Sequence, residues 1–422
     1  MCGIAGIYQK RTSDKGEGKR IVERMNQSQE CRGPDDAGIY EGAHCVLGHR
    51  RLAIIDLSGA GHQPMGYGES GLQIVFNGEI YNFQELRQEL ITKGYVFQTK
   101  SDTEVILALY KEYREAAFPK LRGMFAFALW DERAQKLLLV KDRYGIKPLY
   151  YYKDEEKLVF ASTVGALAKS NCIPLHKNKK AIISFLLFGS VPLPMTTWEK
   201  IVAVPAGHYC VYAENGEIKI IQYYNPRNFF EEKHKEKEES GTTRRYLEDA
   251  IRLHLISDAP LGIFLSGGLD SSVLATLSAA MRETPVTTLS VNFEEEAFSE
   301  KKYQDMIAAR IHSNHHEVKV GMKDFLGAYE HIFAAMDQPT IDGVNTFFVA
   351  EAAKRIGVKT VLSGLGSDEI FCGYPFFKKI LNIFPRETAF RIMARLDLWD
   401  RYPKWKHFLQ KTPLHSYLGI RG

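Results

Sequence analysis

The chain has 422 residues with 45% hydrophobic and 25% charged content, a globular composition that excludes disordered and collagen-like classes and allows two or three domains with sizeable cores. Its formal charge of +4 is small for this length, and no run of Lys and Arg interleaved with aromatics tracks a phosphate backbone, so no nucleic-acid partner is expected. The longest apolar stretch, residues 181–191, is too short to span a bilayer and the N-terminus lacks the blocks of a signal peptide, so no membrane partner is expected and the cytoplasm is the expected location.

The chain opens Met1-Cys2-Gly3-Ile4-Ala5-Gly6. Removing Met1 would put a thiol and a free α-amine on one residue, a nucleophile with its own base. An α-amine has a pKa of roughly 7.7 to 8 against about 10.4 for lysine, so about a tenth of it is available as base near pH 7. Cysteine in second place is no signature by itself, and the rest of the chain decides. The six cysteines are scattered with no C-x-x-C pair, which writes neither a disulfide framework nor a zinc ribbon. His312, His315 and His316 lack Cys or acidic partners at ligand spacing and are expected at a solvated helix end or strand start.

Up to about Tyr224, short β-branched or aromatic runs at 45–47, 72–76, 124–129, 136–141, 149–152 and 209–212 alternate with turn clusters, predicting layered antiparallel sheet. Helices are predicted over 82–92 and 103–113. Gly66-Tyr-Gly68-Glu-Ser-Gly71 spells the dinucleotide fingerprint but runs into a strand where a helix is required. Three places could read a small polar substrate: Arg51, Asn77-Gly78 and Asp102. Arg and Asp can clamp the carboxylate and amine of a free amino acid, and an Asn amide beside a Gly N–H is a good oxyanion stabiliser, although Asn-Gly is also the commonest tight turn.

Residues 225–241 are polar with a mixed-charge run at 231–239 and read as a solvated linker. Beyond it the rhythm becomes helix and strand: helices at 243–256, 272–281, 305–312 and 345–356, strands at 261–265, 286–293 and 359–362, an open parallel α/β sheet. Between strand and helix, Ser266-Gly267-Gly268-Leu269-Asp270-Ser271-Ser272 is a loop suited to phosphate or pyrophosphate, and Asp270 makes sense there with a magnesium ion between carboxylate and anion. No G-x-x-x-x-G-K-S/T sequence occurs, which argues against a Walker-type NTPase. A second such junction, Ser363-Gly364-Leu365-Gly366-Ser367-Asp368-Glu369, lets Asp270 and Asp368 converge on one metal.

With these blocks in place the chain resembles the glutamine-dependent asparagine synthetases, a class II amidotransferase joined to an ATP-pyrophosphatase. The blocks are residues 1–6, Arg32-Gly-Pro-Asp-Asp-Ala-Gly38, residues 48–58, Gly61-His-Gln-Pro64, residues 76–83, Ser101-Asp-Thr-Glu104, Lys141-Asp-Arg-Tyr-Gly-Ile-Lys-Pro-Leu-Tyr150, residues 266–272 and residues 337–374. The resemblance implies an α+β N-terminal nucleophile domain (a layered α/β/β/α antiparallel sandwich) over 1–224, a charged linker over 225–241, and an α/β parallel-sheet ATP-pyrophosphatase domain over 242–422, incomplete at its C-terminus. Cys2 would attack the glutamine amide, Asn77 and Gly78 would hold the oxyanion, and Arg51, Leu52, Ala53, Ile54, Ile55, Glu79 and Asp102 would complete the glutamine site. ATP would lie against Leu265, Ser266, Gly267, Gly268, Asp270, Ser271, Ser272, Val291, Ser363 and Gly364, with Mg2+ at Asp270 and Asp368. ATP would adenylate a carboxylate, that of aspartate, and ammonia carried from the first site would displace AMP. A homodimer is among the assemblies it allows.

Three departures bear on the transfer. Cys31 precedes Arg32-Gly33-Pro34 where the family often has His, a packing change. Leu365 stands where well-studied bacterial members have Glu, which leaves the acceptor open between aspartate and another carboxylate such as a sugar uronate or a natural-product acid. Family members continue beyond the stretch ending at Gly422, into a part that holds a lysine thought to stabilise the leaving pyrophosphate. The apolar segment 376–418, at helical spacing, would find its partners there. The expectation is a chain that hydrolyses glutamine and couples it poorly, or not at all, to amide synthesis.

Overall fold

A computed structural model of the chain describes residues 1–11, 16–213, 216–231, 241–293, 300–375 and 377. Most of the mixed-charge run at 231–239 and of the apolar segment 376–418 lies outside the described residues.

The first half contains β1 (Gly3–Gln9), β2 (Asp36–Glu41), β3 (Cys45–Arg51), β4 (Met65–Gly66), β5 (Leu72–Ile80), β6 (Gly123–Asp131), β7 (Lys136–Lys141), β8 (Tyr150–Lys153), β9 (Lys157–Ala161), β10 (Ile201–Ala203), β11 (His208–Ala213) and β12 (Ile218–Gln222). They form two six-stranded antiparallel sheets, ordered β10-β8-β9-β1-β3-β2 and β12-β11-β7-β6-β5-β4. Around them lie α1 (Glu17–Ser28), α2 (Phe83–Thr92), α3 (Asp102–Tyr113), α4 (Val164–Lys169) and α5 (Lys179–Phe188).

Strand side chains alternate between faces, and here both faces of the central strands are covered, so β1, β6 and β7 are buried at nearly every position. Along β6, Ala126, Ala128 and Trp130 enter the layer between the sheets, where they meet Ile4, Tyr8 and Leu47. Phe125, Phe127 and Leu129 enter the layer under α2 and α3 with Phe76, Leu86 and Leu109. On the opposite outer face α1 packs Ile21, Val22 and Met25, one helical stripe, against Ile7, Val159 and Leu167. The result is the expected α/β/β/α sandwich. Burial of the apolar side chains at about 25 cal/mol per Å² is what holds its layers together.

The second half contains α6 (Pro226–Glu231), α7 (Thr242–His254), β13 (Leu261–Phe264), α8 (Leu269–Ala280), β14 (Thr287–Phe293), α9 (Lys301–Arg310), β15 (Asn314–Val320), α10 (Met322–Ala335), α11 (Gly343–Arg355), β16 (Thr360–Leu362) and α12 (Ser367–Phe371). Its sheet is parallel, ordered β15-β14-β13-β16. Several boundaries differ from the sequence prediction, three of them by about a turn or more, and β15 and α10 had no predicted range. The start of the stretch read as linker is the helix α6. α8 begins at Leu269 because the Ser271 and Ser272 hydroxyls donate back to the Gly268 carbonyl, closing the turn early. α9 begins at Lys301, whose ammonium pairs with Asp305 one turn on.

His312 follows α9 with a φ of 51°, and His315 and His316 lie in β15. The His315 Nδ1 is 2.9 Å from the Thr288 hydroxyl. No helix among the described residues is long and apolar enough to cross a membrane.

Candidate active site

β1 starts one residue after Cys2 and pairs with β3 so that Gly3 lies opposite Arg50, which brings Cys2 and Arg51 to one end of their sheet. Across the sandwich β5 delivers Asn77, Gly78 and Glu79 to the same end, and α3, capped by the Ser101 hydroxyl at the Thr103 N–H (3.2 Å), starts there with Asp102. One cavity is lined by Cys2, Arg51, Leu52, Ile54, Ile55, Asn77, Gly78, Glu79 and Asp102, joined by Met1, Gln63 and Lys147. Ala53 departs from the predicted set. It is not among the lining residues, being buried with its N–H donated to Asp35 Oδ2 at 2.8 Å.

The Leu52 N–H points at Cys2 Sγ from 3.4 Å. Burial pushes the thiol up from its ordinary pKa, opposed by that N–H and by the terminal amine. The amine, carried by Met1 here, is lowered to about 6, chiefly by burial. A neutral thiol therefore sits beside a base that is mostly free at pH 7.

Asn77 is 1% exposed, and its Nδ2 is buried without a hydrogen-bond partner among the described residues. Leaving such a donor unmade costs about 1–3 kcal/mol, a cost a ligand oxygen can offset. Gly78 follows on the same strand, where a Cβ would stand 2.2 Å from the Met124 carbonyl oxygen, so no other residue fits without moving β6. Arg51 donates to the carbonyls of Ser58 (2.8 Å), Ile55 (3.5 Å) and Asp56, so it braces the segment after β3 as well as facing the cavity. Asp102 Oδ2 accepts the Ile80 N–H at 2.9 Å, yet burial still raises its carboxyl to about 6. Glu79 is raised to about 7 by burial, with Lys147 pulling the other way and Asp102 adding to the rise.

Three contributors carried no role in the sequence reading. Lys147 is presented by the fully buried Asp142, whose carboxylate accepts the N–H groups of Phe125 (3.2 Å), Tyr144, Ile146 and Lys147 (each 3.0 Å). Arg32 Nε donates to the Cys2 carbonyl at 3.1 Å. Gln63 ties β5 to α3, accepting the Phe76 N–H (2.7 Å) and donating to the Thr103 hydroxyl (3.2 Å). Arg32, Gln63 and Lys147 all lie in motif blocks, which was the signal that could have found them. Nucleophile, base, unpaired amide donor, cations and acids together form the equipment for acyl transfer from an amide.

At the C-terminal edge of the parallel sheet, the loop between β13 and α8 is built by its own hydroxyls. Ser266 N–H donates to Ser271 Oγ and Gly268 N–H to Ser266 Oγ, each at 3.2 Å, with Gly267 at a φ of 87°. Leu265 is buried, its carbonyl accepting the Ser290 hydroxyl at 2.5 Å. Ser272 closes the first turn of α8. The second loop touches the first: a Cβ on Gly364 would lie 3.0 Å from both the Ser271 nitrogen and the Asp270 Cβ. Ser363 Oγ accepts the Leu365 N–H at 3.3 Å. Val291 lies on β14 two residues beyond Leu289, whose carbonyl accepts the Leu265 N–H at 2.9 Å, and packs into apolar clusters with Val318.

Burial, then the charges of Asp368 and Glu369, raise the Asp270 carboxyl above its ordinary range. No group of three or more His, Cys, Asp or Glu placed to hold a metal occurs among the described residues. The repelling pair Asp270 and Asp368 nevertheless fits a magnesium ion, which uses one or two carboxylates and takes its remaining ligands from phosphates and water.

Residues 1–224 match the glutamine amidotransferase domain family and residues 242–418 the asparagine synthase family. Asparagine synthetase (glutamine-hydrolyzing) 1 of Bacillus subtilis is 36% identical over 92% of this chain and 61% of that protein. Asparagine synthetase (glutamine-hydrolyzing) 3 of the same organism is 32% identical over 98% of this chain and 72% of that protein. Amidase chry2 of Gibberella zeae is 31% identical over 90% of this chain and 60% of that protein. The chain thus spans about 61% of the length of the first of these relatives.

Proposed function

The chain belongs to the glutamine-dependent asparagine synthetase family, and on that premise we propose that it hydrolyses glutamine at Cys2 and delivers the ammonia to a carboxylate activated by ATP in its second half. Aspartate is the acceptor on this reading, and asparagine, glutamate, AMP and pyrophosphate are the products.

In the first half, Asp102 meets the α-ammonium of glutamine and Arg51 its α-carboxylate. With Met1 removed, the Cys2 thiol proton passes to the α-amine of the same residue as the sulfur bonds to the side-chain amide carbon. The oxyanion forms against Asn77 Nδ2 and Gly78. On collapse the C–N bond breaks, the amine returns its proton to the departing nitrogen, and ammonia leaves. Water then cleaves the thioester to glutamate and the thiol. The observation that carries this reading is the buried, unpartnered Asn77 amide lining the cavity that contains the Cys2 thiol.

In the second half the acceptor carboxylate attacks the α-phosphorus of ATP and pyrophosphate departs toward the Ser266 to Ser272 loop. Ammonia adds to the acyl-adenylate and AMP leaves. Bound at Asp270 and Asp368, Mg2+ would neutralise phosphate charge there. A cytoplasmic protein goes with this reading, and a homodimer is one assembly open to it.

Glutamate release from glutamine, with a thioester adduct on Cys2 detected by intact mass, tests the first half. Undiminished hydrolysis by Cys2→Ala would overturn it. For the second half a specific observation favours another acceptor: Leu365, in the loop beside Asp368, is a 91% exposed apolar side chain where related bacterial enzymes have Glu. AMP release against a panel of carboxylic acids, with aspartate included, decides between the two.

A further inference from the structure

On the reading above that the cavity hydrolyses glutamine, we propose that Asp258 and Lys359 are positioning residues of the glutamine site, clamping residues 52–56 from the second half of the chain. The Asp258 N–H donates to the Ile54 carbonyl at 3.0 Å, and Asp258 Oδ2 accepts the Asp56 N–H at 2.8 Å, a two-point grip on the backbone flanking Ile55. Lys359 Nζ is 2.7 Å from Asp35 Oδ2, the oxygen that also accepts the Ala53 N–H at 2.8 Å. Ala53, Ile54 and Asp56 are therefore tied, directly or through Asp35, to the second half.

The segment matters because Leu52, Ile54 and Ile55 line the cavity and the Leu52 N–H faces Cys2 Sγ. Apolar packing seats the same joint, since Ile256 and Ile55 both pack on the cluster under α2 and α3. Next to them the rings of His254 and Tyr81 lie 4.1 Å apart, centre to centre.

Both clamps occupy one edge of the parallel sheet. Leu261 of β13 pairs with Thr360 of β16, and the Lys359 N–H donates to the Pro260 carbonyl at 3.1 Å. The opposite edge of the same two strands carries the Ser266 to Ser272 and Ser363 to Asp368 loops. A four-residue strand spans only about 13 Å, so the strands that hold the nucleotide loops also hold the glutamine segment in register.

The test uses the full chain. Asp258→Ala is expected to raise the glutamine KM about tenfold with kcat nearly unchanged, the scale of losing one hydrogen bond to a charged group. Asp258→Asn keeps an acceptor for the Asp56 N–H and is expected to retain a KM close to that of the unaltered protein. Lys359→Ala, which removes a more exposed pair, should raise KM about threefold, and Lys359→Arg should restore it. Amide exchange at 53–56 should quicken in Asp258→Ala and Lys359→Ala alone. Unchanged KM and unchanged exchange in both alanine variants would overturn the clamp. If Asp258→Ala does not fold, Lys359→Ala and its Arg counterpart decide. If the unaltered chain hydrolyses no glutamine, the functional reading falls and the exchange rates decide the clamp by themselves.

Discussion

At the Cys2 cavity the ionisable groups lie inside a finished double sheet, with Glu79 5%, Asp102 4% and Lys147 8% exposed, whereas at the loops after β13 and β16 Leu365 is 91% exposed beside carboxylates that repel one another. In the first place acids and bases interleave. Burial raises Glu79 while Lys147 lowers it, and the amine is depressed by the same burial that keeps the thiol neutral. In the second, burial and then the charges of Asp368 and Glu369 all raise Asp270. The first cavity thus balances its charges internally, whereas the loops after β13 and β16 gather like charge.

The sharpest way to break this contrast is Cys2→Ala. Glutamate release should fall about a thousandfold or more, as expected for loss of a nucleophile. AMP formation with ammonia as nitrogen source should survive, because the parallel sheet does not depend on the thiol. Loss of both activities in a folded variant would show that the two halves are not separable.

Asn77→Ala probes whether the cavity is preorganised. Removing one oxyanion donor costs about 10²–10³ in kcat, and the glutamine KM should change little because the interaction forms with the transition state. A tenfold rise in KM at constant kcat would reassign Asn77 to ground-state binding.

The pH dependence follows from the same burial. Burial lowers the Met1 amine to about 6, and a Cys2 α-amine freed in the same pocket is expected below its ordinary value of roughly 7.7 to 8, so kcat/KM should rise about tenfold per pH unit below that pKa and level off above it. Stability gives a second handle. Asp102 and Glu79 have folded pKa values raised to about 6 and about 7, so their favourable contribution is complete below the ordinary carboxylate range and is lost as pH rises through those values. Gln in place of Glu79 mimics the protonated acid. The urea midpoint of Glu79→Gln relative to the unaltered protein should therefore climb between pH 5 and pH 8, and a falling difference would contradict the assigned shift.

What could be read in the sequence divides along chemical lines. Cys2, Arg51, Asn77, Gly78 and Asp102 were singled out by residue type and local context, and all of them line one cavity. The strands were visible because apolar runs and turn residues are local signals. Asp142 was not, because an acid that accepts four backbone N–H groups looks like any surface acid until its burial is known. Asp258 and Lys359 were invisible for a related reason: their partners lie about 200 and 324 positions away. Ala53 was included through its neighbours, and only the Asp35 hydrogen bond separates it from them. α1 was overlooked although Ile21, Val22 and Met25 write a helical stripe.

The smallest effect concerns the like charges at the loops after β13 and β16. Asp270 is ionised in the unfolded chain through most of the usable pH range, and folding partly desolvates it and brings it toward Asp368 and Glu369, so its raised pKa means that the ionised form opposes folding as pH climbs past the ordinary carboxylate value. Asp270→Asn removes that repulsion. Because the group is largely solvated, the gain should be slight, under about 0.5 kcal/mol at pH 8 and low ionic strength, and should vanish in 0.5 M salt as screening takes over. Adding Mg2+ with ATP should reverse the order: the unaltered protein gains thermal stability by mass action and the Asn variant gains less, since one of its two carboxylates is gone. A variant stabilised as strongly as the unaltered chain by Mg2+ and ATP would place the cation elsewhere and leave the Asp270 shift without a ligand to answer it.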